Sequence, residues 1–299
     1  MLTLENEHLR TEFAPEAGAS LVSLSTRQEG AWLLLTRPTP PQVRDAWSMA
    51  SFILAPFSNF IPGGCFDFDG QSIQLVCNLG GDAIHGDAYR HPWQVTAAQA
   101  DRLVCRLDSS QIPDFNFPFS LALEARYTLA GETLESTLSL TNTGLHAMPA
   151  GLGFHPFFNR ILPGPSAAAA TLQFQAKGVY PPLPSGPMHP APPNQDFSAP
   201  VAVAERELNH CFGGWDRTAQ IRYPGAGLGL NLDCDDLFGH LVVFIPPGED
   251  YFCVEPVSHA NNAFNLAARG QPGTGMRALA PGETLSGCFR ITVIHNQGR

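Results

Sequence analysis

The chain has 299 residues, 44% hydrophobic and only 15% charged, which excludes a disordered polypeptide and is enough for a large core. Two ordinary domains or one large all-β domain would both fit this length. A formal net charge of −10, from 17 Lys and Arg against 27 Asp and Glu with no basic cluster, argues against nucleic acid and against anionic membrane surfaces. It argues less strongly against a highly charged phosphate substrate.

Residues 1–7, Met-Leu-Thr-Leu-Glu-Asn-Glu, have neither a basic start nor a long apolar stretch, so no signal peptide is expected. No apolar run approaches membrane-spanning length. The seven cysteines, at 65, 77, 105, 211, 234, 253 and 288, are odd in number and widely spaced, with no Cys-x-x-Cys. They suggest neither a disulfide framework nor a structural zinc site, and a reducing cytoplasm fits best.

The dominant period is two. Strands are predicted at 8–13, 19–25, 31–35, 93–98, 103–107, 171–175, 218–223, 228–232 and 241–245. Residues 65–75 read as a hairpin turning at Asp69-Gly70. Residues 121–129 alternate apolar and polar, and the pattern resumes after Gly131-Glu132, making a second hairpin with one buried face. The C-terminal run repeats it, with Phe289, Ile291 and Val293 on one face. Residues 47–53 have room for one short helical turn. A segment from Val179 to Pro200 carries prolines at 181, 182, 184, 187, 190, 192 and 193 besides the one that ends it, and must be an irregular crossing loop or an exposed arm. Residues 161–170 form a shorter Pro/Ala-rich link. Neither marks a domain boundary, since similar strand patterns flank both. The expected architecture is a single all-β domain over residues 1–299, a large antiparallel β-sandwich of two packed sheets.

Several stretches carry candidate chemistry. In Phe252-Cys253-Val254-Glu255-Pro256 an apolar run meets a carboxylate, and the proline biases Glu255 towards extended geometry. Glu255 is expected at a strand end, on a rim; alone it reads as a surface carboxylate. Gly151-Leu152-Gly153-Phe154-His155-Pro156-Phe157-Phe158 fixes a histidine before proline and beside two aromatics that would form an apolar wall. Ala83-Ile84-His85-Gly86-Asp87 puts a histidine beside a glycine that permits a tight turn and close approach of a ligand. Trp215-Asp216 lies in a Gly-rich loop, either a sugar-binding pair or an Asp–Arg surface turn. Asn59 stands in the Pro/Gly-bounded loop 56–64, to bind ligand or to make an Asx-turn.

Taken in order, Pro-Phe-Ser-Asn (56–59), Ile-His-Gly (84–86), Pro-Trp (92–93), Gly-Phe-His-Pro-Phe-Phe (153–158), Gly-Trp-Asp (214–216) and Val-Glu-Pro (254–256) resemble the aldose 1-epimerase (galactose mutarotase) family over most of the chain. The version around Glu255 resembles a less studied bacterial branch. The resemblance implies a galactose mutarotase-like supersandwich with an open sugar-binding cleft. It implies exchange of the α and β anomers of a free aldose, without cofactor or metal, by a monomer or homodimer. By the same resemblance Glu255 is the general base and His155 the general acid, while His85, Asp216 and Asn59 contact the sugar. The family usually has Asn-Arg-Ile where this chain has Asn59-Phe60-Ile61, and Phe cannot mimic a guanidinium. Arg90 and Arg160 are the candidates to replace it. Phe60 also motivates a second reading, a carbohydrate-binding or regulatory protein with weak or lost catalysis. A lyase or hydrolase on a related sandwich, and a metal site from His85, His155 and His259, are the remaining alternatives.

Overall fold

A computed structural model describes residues 1–181 and 186–295. The period-two pattern becomes strands throughout, and the antiparallel expectation holds in every strand pair. Leu121–Ala130 and Thr133–Asn142 form the second predicted hairpin, closed by Ala130 opposite Thr133. Asp69 and Gly70 both have positive φ between Cys65–Phe68 and Gln71–Gln74, the geometry that a two-residue hairpin turn demands.

Two large sheets dominate. The first has nine strands in the order Gln94–Ala98, Arg102–Asp108, Leu121–Ala130, Thr133–Asn142, Thr284–His295, Leu228–Cys234, Thr218–Tyr223, Thr171–Phe174 and Val201–Ala202. The second follows the order Gly178–Tyr180, Leu208–Gly213, His240–Ile245, Tyr251–Val257, Gly153–Phe154 and Ile53–Leu54, with Phe157–Asn159 added beside Tyr251–Val257. One core lies between them. Leu123, Leu138 and Ile291 of the first sheet share it with Leu241, Val243, Phe252 and Val254 of the second. Alternate residues of the second sheet, among them Phe52, Phe157, Val242, Cys253 and Val257, point to its other face and form a separate apolar cluster. The candidate site belongs to that face.

Some elements escaped the period. Short strands such as Ile53–Leu54, Ala83–Ile84, Met148–Ala150 and Gly153–Phe154 have only two or three residues, too few to show an alternation. The Leu208–Gly213 strand carries Asn209 and His210 and lacks a clean alternation. The predicted turn near Trp47 is a 3₁₀ turn, Ala46–Ser48, capped by the Asp45 side chain. Among the described residues there is a single α-helix, Ala263–Ala268, which follows Asn262. In the Pro-rich segment, Gly178–Tyr180 is a strand, Val179 bridges back to His189, and Pro193–Gln195 is a 3₁₀ turn. Residues 182–185 of that segment lie outside the described residues. Among the described residues, no helix is long and apolar enough to cross a membrane. All seven cysteines are free.

Asn142 is a buried polar staple at the end of its strand. Its Nδ2 donates to the His146 and Leu279 carbonyls at 2.8 Å each, and its Oδ1 accepts the Gly144 N–H at 2.9 Å. Asn142→Ala would orphan these groups, at about 1–3 kcal/mol for each one left buried. Urea denaturation should show a loss of about 2–4 kcal/mol, well above a surface substitution.

Candidate functional site

The Tyr251–Val257 strand meets two different partners along one edge. Phe157 pairs with Cys253, and Gly153 pairs with Val257. The register is the same on both sides of the break, so His155 falls directly opposite Glu255. The break occurs at His155-Pro156, where the proline has no N–H to donate. On its far side His155 donates its backbone N–H to the Phe52 carbonyl at 3.0 Å, and on the other flank Glu255 pairs with Val242. Phe52, His155, Glu255 and Val242 thus form one row across the sheet.

Glu255 is therefore not on a rim. The strand runs to Val257, and Glu255 is 1% exposed. Strand neighbours occupy both sides, which an isolated Val-Glu-Pro cannot reveal. His155 Nε2 lies 3.4 Å from Glu255 Oε1. The imidazole is clamped between two rings, Phe52 at 4.6 Å and Phe157 at 4.5 Å between centroids, both stacked. The expected aromatic wall is thus half right. Phe158 points into the inter-sheet core, against Phe252, because consecutive strand residues face opposite sides.

His85 reaches the pair from a loop. Its ring meets His155 edge-on at 5.2 Å. Two left-handed residues in succession, His85 with φ 63° and Gly86 with φ 70°, aim it there. A Cβ on Gly86 would stand 2.0 Å from the Ala55 carbonyl oxygen. The close approach this glycine permits is that of the protein's own backbone. Asn59 locks the ring: its carbonyl accepts the His85 N–H at 3.1 Å, and its own N–H donates to His85 Nδ1 at 3.2 Å. Nδ1 is thus an acceptor, and the neutral ring carries its proton on Nε2. Asn59 Nδ2 is spent on the Ser58 hydroxyl and the His259 carbonyl. Asn59 accordingly acts as the holder of His85.

Asp216 is not brought to this group by any contact. It is exposed on the loop between Leu208–Gly213 and Thr218–Tyr223, and its carboxylate accepts the Thr218 N–H at 3.2 Å, an Asx-turn. Trp215 beside it is buried and donates its indole N–H to the Thr218 carbonyl.

Phe60 pairs with Ile84 in a two-residue strand and accepts the Asn262 N–H through its carbonyl. Neither candidate replacement cation is free. Arg90 pairs with Asp87 at 3.1 Å, and Arg160 donates to the Tyr251 and Pro246 carbonyls. The cation that does lie near the site is Arg37, which carried no sequence signal. Its guanidinium lies 3.6 Å from the centroid of Phe157, and its Nη2 donates to the Trp47 and Met49 carbonyls at 2.6 Å each. Trp47 was likewise missed as a site residue. Its indole lies 5.6 Å from His85 and 6.3 Å from His155.

The nitrogen and oxygen atoms of His85, His155 and Glu255 lie within 4.8 Å of one another, a spacing that suits a cation. The His85 tautomer does not suit one: coordination through Nε2 would require moving its proton to Nδ1, against the Asn59 N–H. His259 stands apart from them. It accepts the Ser58 N–H at Nε2 and donates from Nδ1 to the Ala260 carbonyl, so both of its nitrogens are occupied.

Burial governs the protonation states. It pushes the Glu255 carboxyl well above the ordinary 4.5. It pushes His155 well below 6.5, with His85 adding to the effect, and His85 down to about 3, with His259 adding to it. The ordinary carboxylate value would make Glu255 an anion at neutral pH, and burial works against that charge. Glu255 Oε2 and His155 Nδ1 are buried without any hydrogen-bond partner. Such groups are costly to leave unpaired and are characteristic of a site that binds something polar.

The fold and the site together define a β-sandwich protein with a buried histidine–carboxylate pair and a second histidine beside it whose Nε2–H is free to donate. The aldose 1-epimerase family model matches residues 1–292, and the chain belongs to that family. Among relatives, it is 29% identical to the uncharacterized protein YphB of Escherichia coli K12 over 284 residues, 89% of this chain and 91% of that one. The crystal structure of a putative aldose 1-epimerase from E. coli K12 is similar with a TM-score of 0.84 at 26% identity, covering 98% of both chains. A galactose mutarotase-like protein from Clostridium acetobutylicum shares the fold, with a TM-score of 0.85 at 17% identity over 98% of this chain and 94% of that one.

The buried histidines set a pH dependence of stability. Folded values of about 3 for His85 and about 4 for His240 and His259 lie below the unfolded 6.5. On acidification below 6.5 the unfolded chain takes up protons that the folded chain refuses, so stability falls, by at most about 1.4 kcal/mol per pH unit for each histidine. Glu255 works oppositely: its raised value makes stability fall as pH rises above 4.5. With His155, also held well below 6.5, four histidines outweigh one carboxyl, and urea unfolding should show a net loss of roughly 3–5 kcal/mol from pH 7 to pH 5.

Proposed function

We propose that this protein is an aldose 1-epimerase, a mutarotase that interconverts the α and β anomers of a free sugar. The observation that carries the reading is the cross-strand placement of His155 opposite Glu255, with the Nε2–H of His85 left to donate.

Anomer exchange requires the C1–O5 bond to break. Glu255 takes the proton of the anomeric hydroxyl, and His155 gives one to the ring oxygen. The open aldehyde turns about C1–C2, and the ring closes on its other face by the reverse transfers. Proton counting favours this pair. An anionic Glu255 with a cationic His155, and a neutral acid with a neutral imidazole, hold the same number of protons. The first is the state that opens the ring; the second is the state after opening. Burial, which raises Glu255 and lowers His155, favours the second and so drives the proton from His155 towards the ring oxygen. Oε2, which has no partner, is an acceptor for a sugar hydroxyl. His85, neutral and fixed as the Nε2–H tautomer, donates to the ring oxygen or a neighbouring hydroxyl without entering the proton exchange. No cofactor or metal takes part in these steps.

Each transfer by a positioned acid or base contributes roughly 10²–10⁴-fold. Glu255→Gln and His155→Asn should each lower anomer exchange of the preferred aldose by that factor, followed by polarimetry or NMR. Unaltered exchange in both variants would rule out the reading. Sugar binding by calorimetry, with no faster exchange across a panel of aldoses, would favour a binding protein instead.

A further inference from the structure

Glu255 is 1% exposed, and His85 and His155 are 5% exposed each, on the face of the sheet that turns away from the inter-sheet core. What covers the two histidines includes the side chain of Trp47. Its ring lies 5.1 Å from Phe52, 5.6 Å from His85, 5.8 Å from Tyr89 and 6.3 Å from His155, while its own outer surface stays partly exposed. A sugar cannot bring its anomeric hydroxyl to Glu255 and its ring oxygen to His155 while the histidines stay covered in this way.

The main chain beneath the indole is held. Arg37 Nη2 donates to the carbonyls of both Trp47 and Met49, the guanidinium lies on Phe157, and Asp45 caps the turn. The Phe157 ring also stacks on His155, so Arg37 ties the Trp47 turn to the ring stack that fixes the acid. With the backbone pinned at both 47 and 49, the freedom left is rotation of the indole about its side-chain bonds. The ring it uncovers is the one a sugar needs: an aromatic face offers the C–H side of a pyranose a flat apolar partner, while the polar edge is left to the histidines and Glu255.

We propose that Trp47 is the movable wall of this site. Its indole turns away from His85 and His155 to admit a sugar ring, then stacks on that ring's C–H face. The proposal rests on the mutarotase reading for the identity of the ligand, but the covering role of Trp47 is testable without one.

Without sugar, diethyl pyrocarbonate modification of His155 and His85, mapped by mass spectrometry, should rise several-fold in Trp47→Ala over the natural protein at equal secondary structure by circular dichroism. Unchanged modification overturns the wall, whatever the ligand. With sugar, isothermal calorimetry on an aldose panel should show binding to the natural protein and to Trp47→Phe, and roughly ten-fold weaker binding to Trp47→Ala, a loss of about 1.4 kcal/mol. Binding should change the tryptophan fluorescence of the natural protein, and Trp47→Phe should lose that change although three other tryptophans remain. Equal affinity in Trp47→Ala, or a fluorescence change kept in Trp47→Phe, overturns the stacking role while leaving the mutarotase reading intact. A natural protein that binds no aldose overturns that reading and the stacking role together.

Discussion

The structure depends on one interrupted strand pairing. Two segments, Gly153–Phe154 and Phe157–Asn159, lie along the same edge of Tyr251–Val257 in a common register, and the gap between them holds His155 and Pro156. A continuous ladder would bury a sheet surface and nothing more. The break leaves His155 opposite Glu255 without committing either side chain to the ladder. Both neighbours of the gap keep their register, so the pair is held by the whole sheet and not by a loop. The sheet is in turn held by the core beneath it, where Val254, Phe252, Phe154 and Phe158 pack against the larger sheet.

Around that pair the protein spends stability on function. Burying a carboxyl and several imidazoles disfavours their charged forms. The same burial shifts the His155–Glu255 pair towards its uncharged form. Strained backbone accompanies it. His85, Asn59 and Asn262 all take left-handed conformations that most side chains avoid, and the first two are tied to one another. Their order is enforced by close main-chain approach, as between Gly86 and Ala55, not by side-chain bulk.

The position equivalent to the family arginine changes meaning in this setting. Phe60 closes a two-residue strand with Ile84, beside the loop that aims His85. The nearby guanidinium is instead that of Arg37, which lies on the Phe157 ring that also stacks on His155. It is engaged with backbone carbonyls and an aromatic face, so its charge acts through the framework of the site.

The sequence by itself determined the all-β architecture, most of the long strands and the identity of the residues that meet at the site. Period-two alternation over ten residues, as in Leu121–Ala130, admits only one buried face, and the ordered motifs name His155, Glu255 and His85. The strands of two or three residues were not legible, because no periodicity exists at that length. Tertiary structure alone decided three matters. Register placed His155 opposite Glu255, which depends on partners some hundred residues apart. Burial raised Glu255 above the ordinary carboxylate value, because solvent access belongs to the assembled sheet and not to a tripeptide. Packing brought Trp47 and Arg37 to the site and left Asp216 in an exposed turn, since each side chain's destination is set by neighbours distant in the chain.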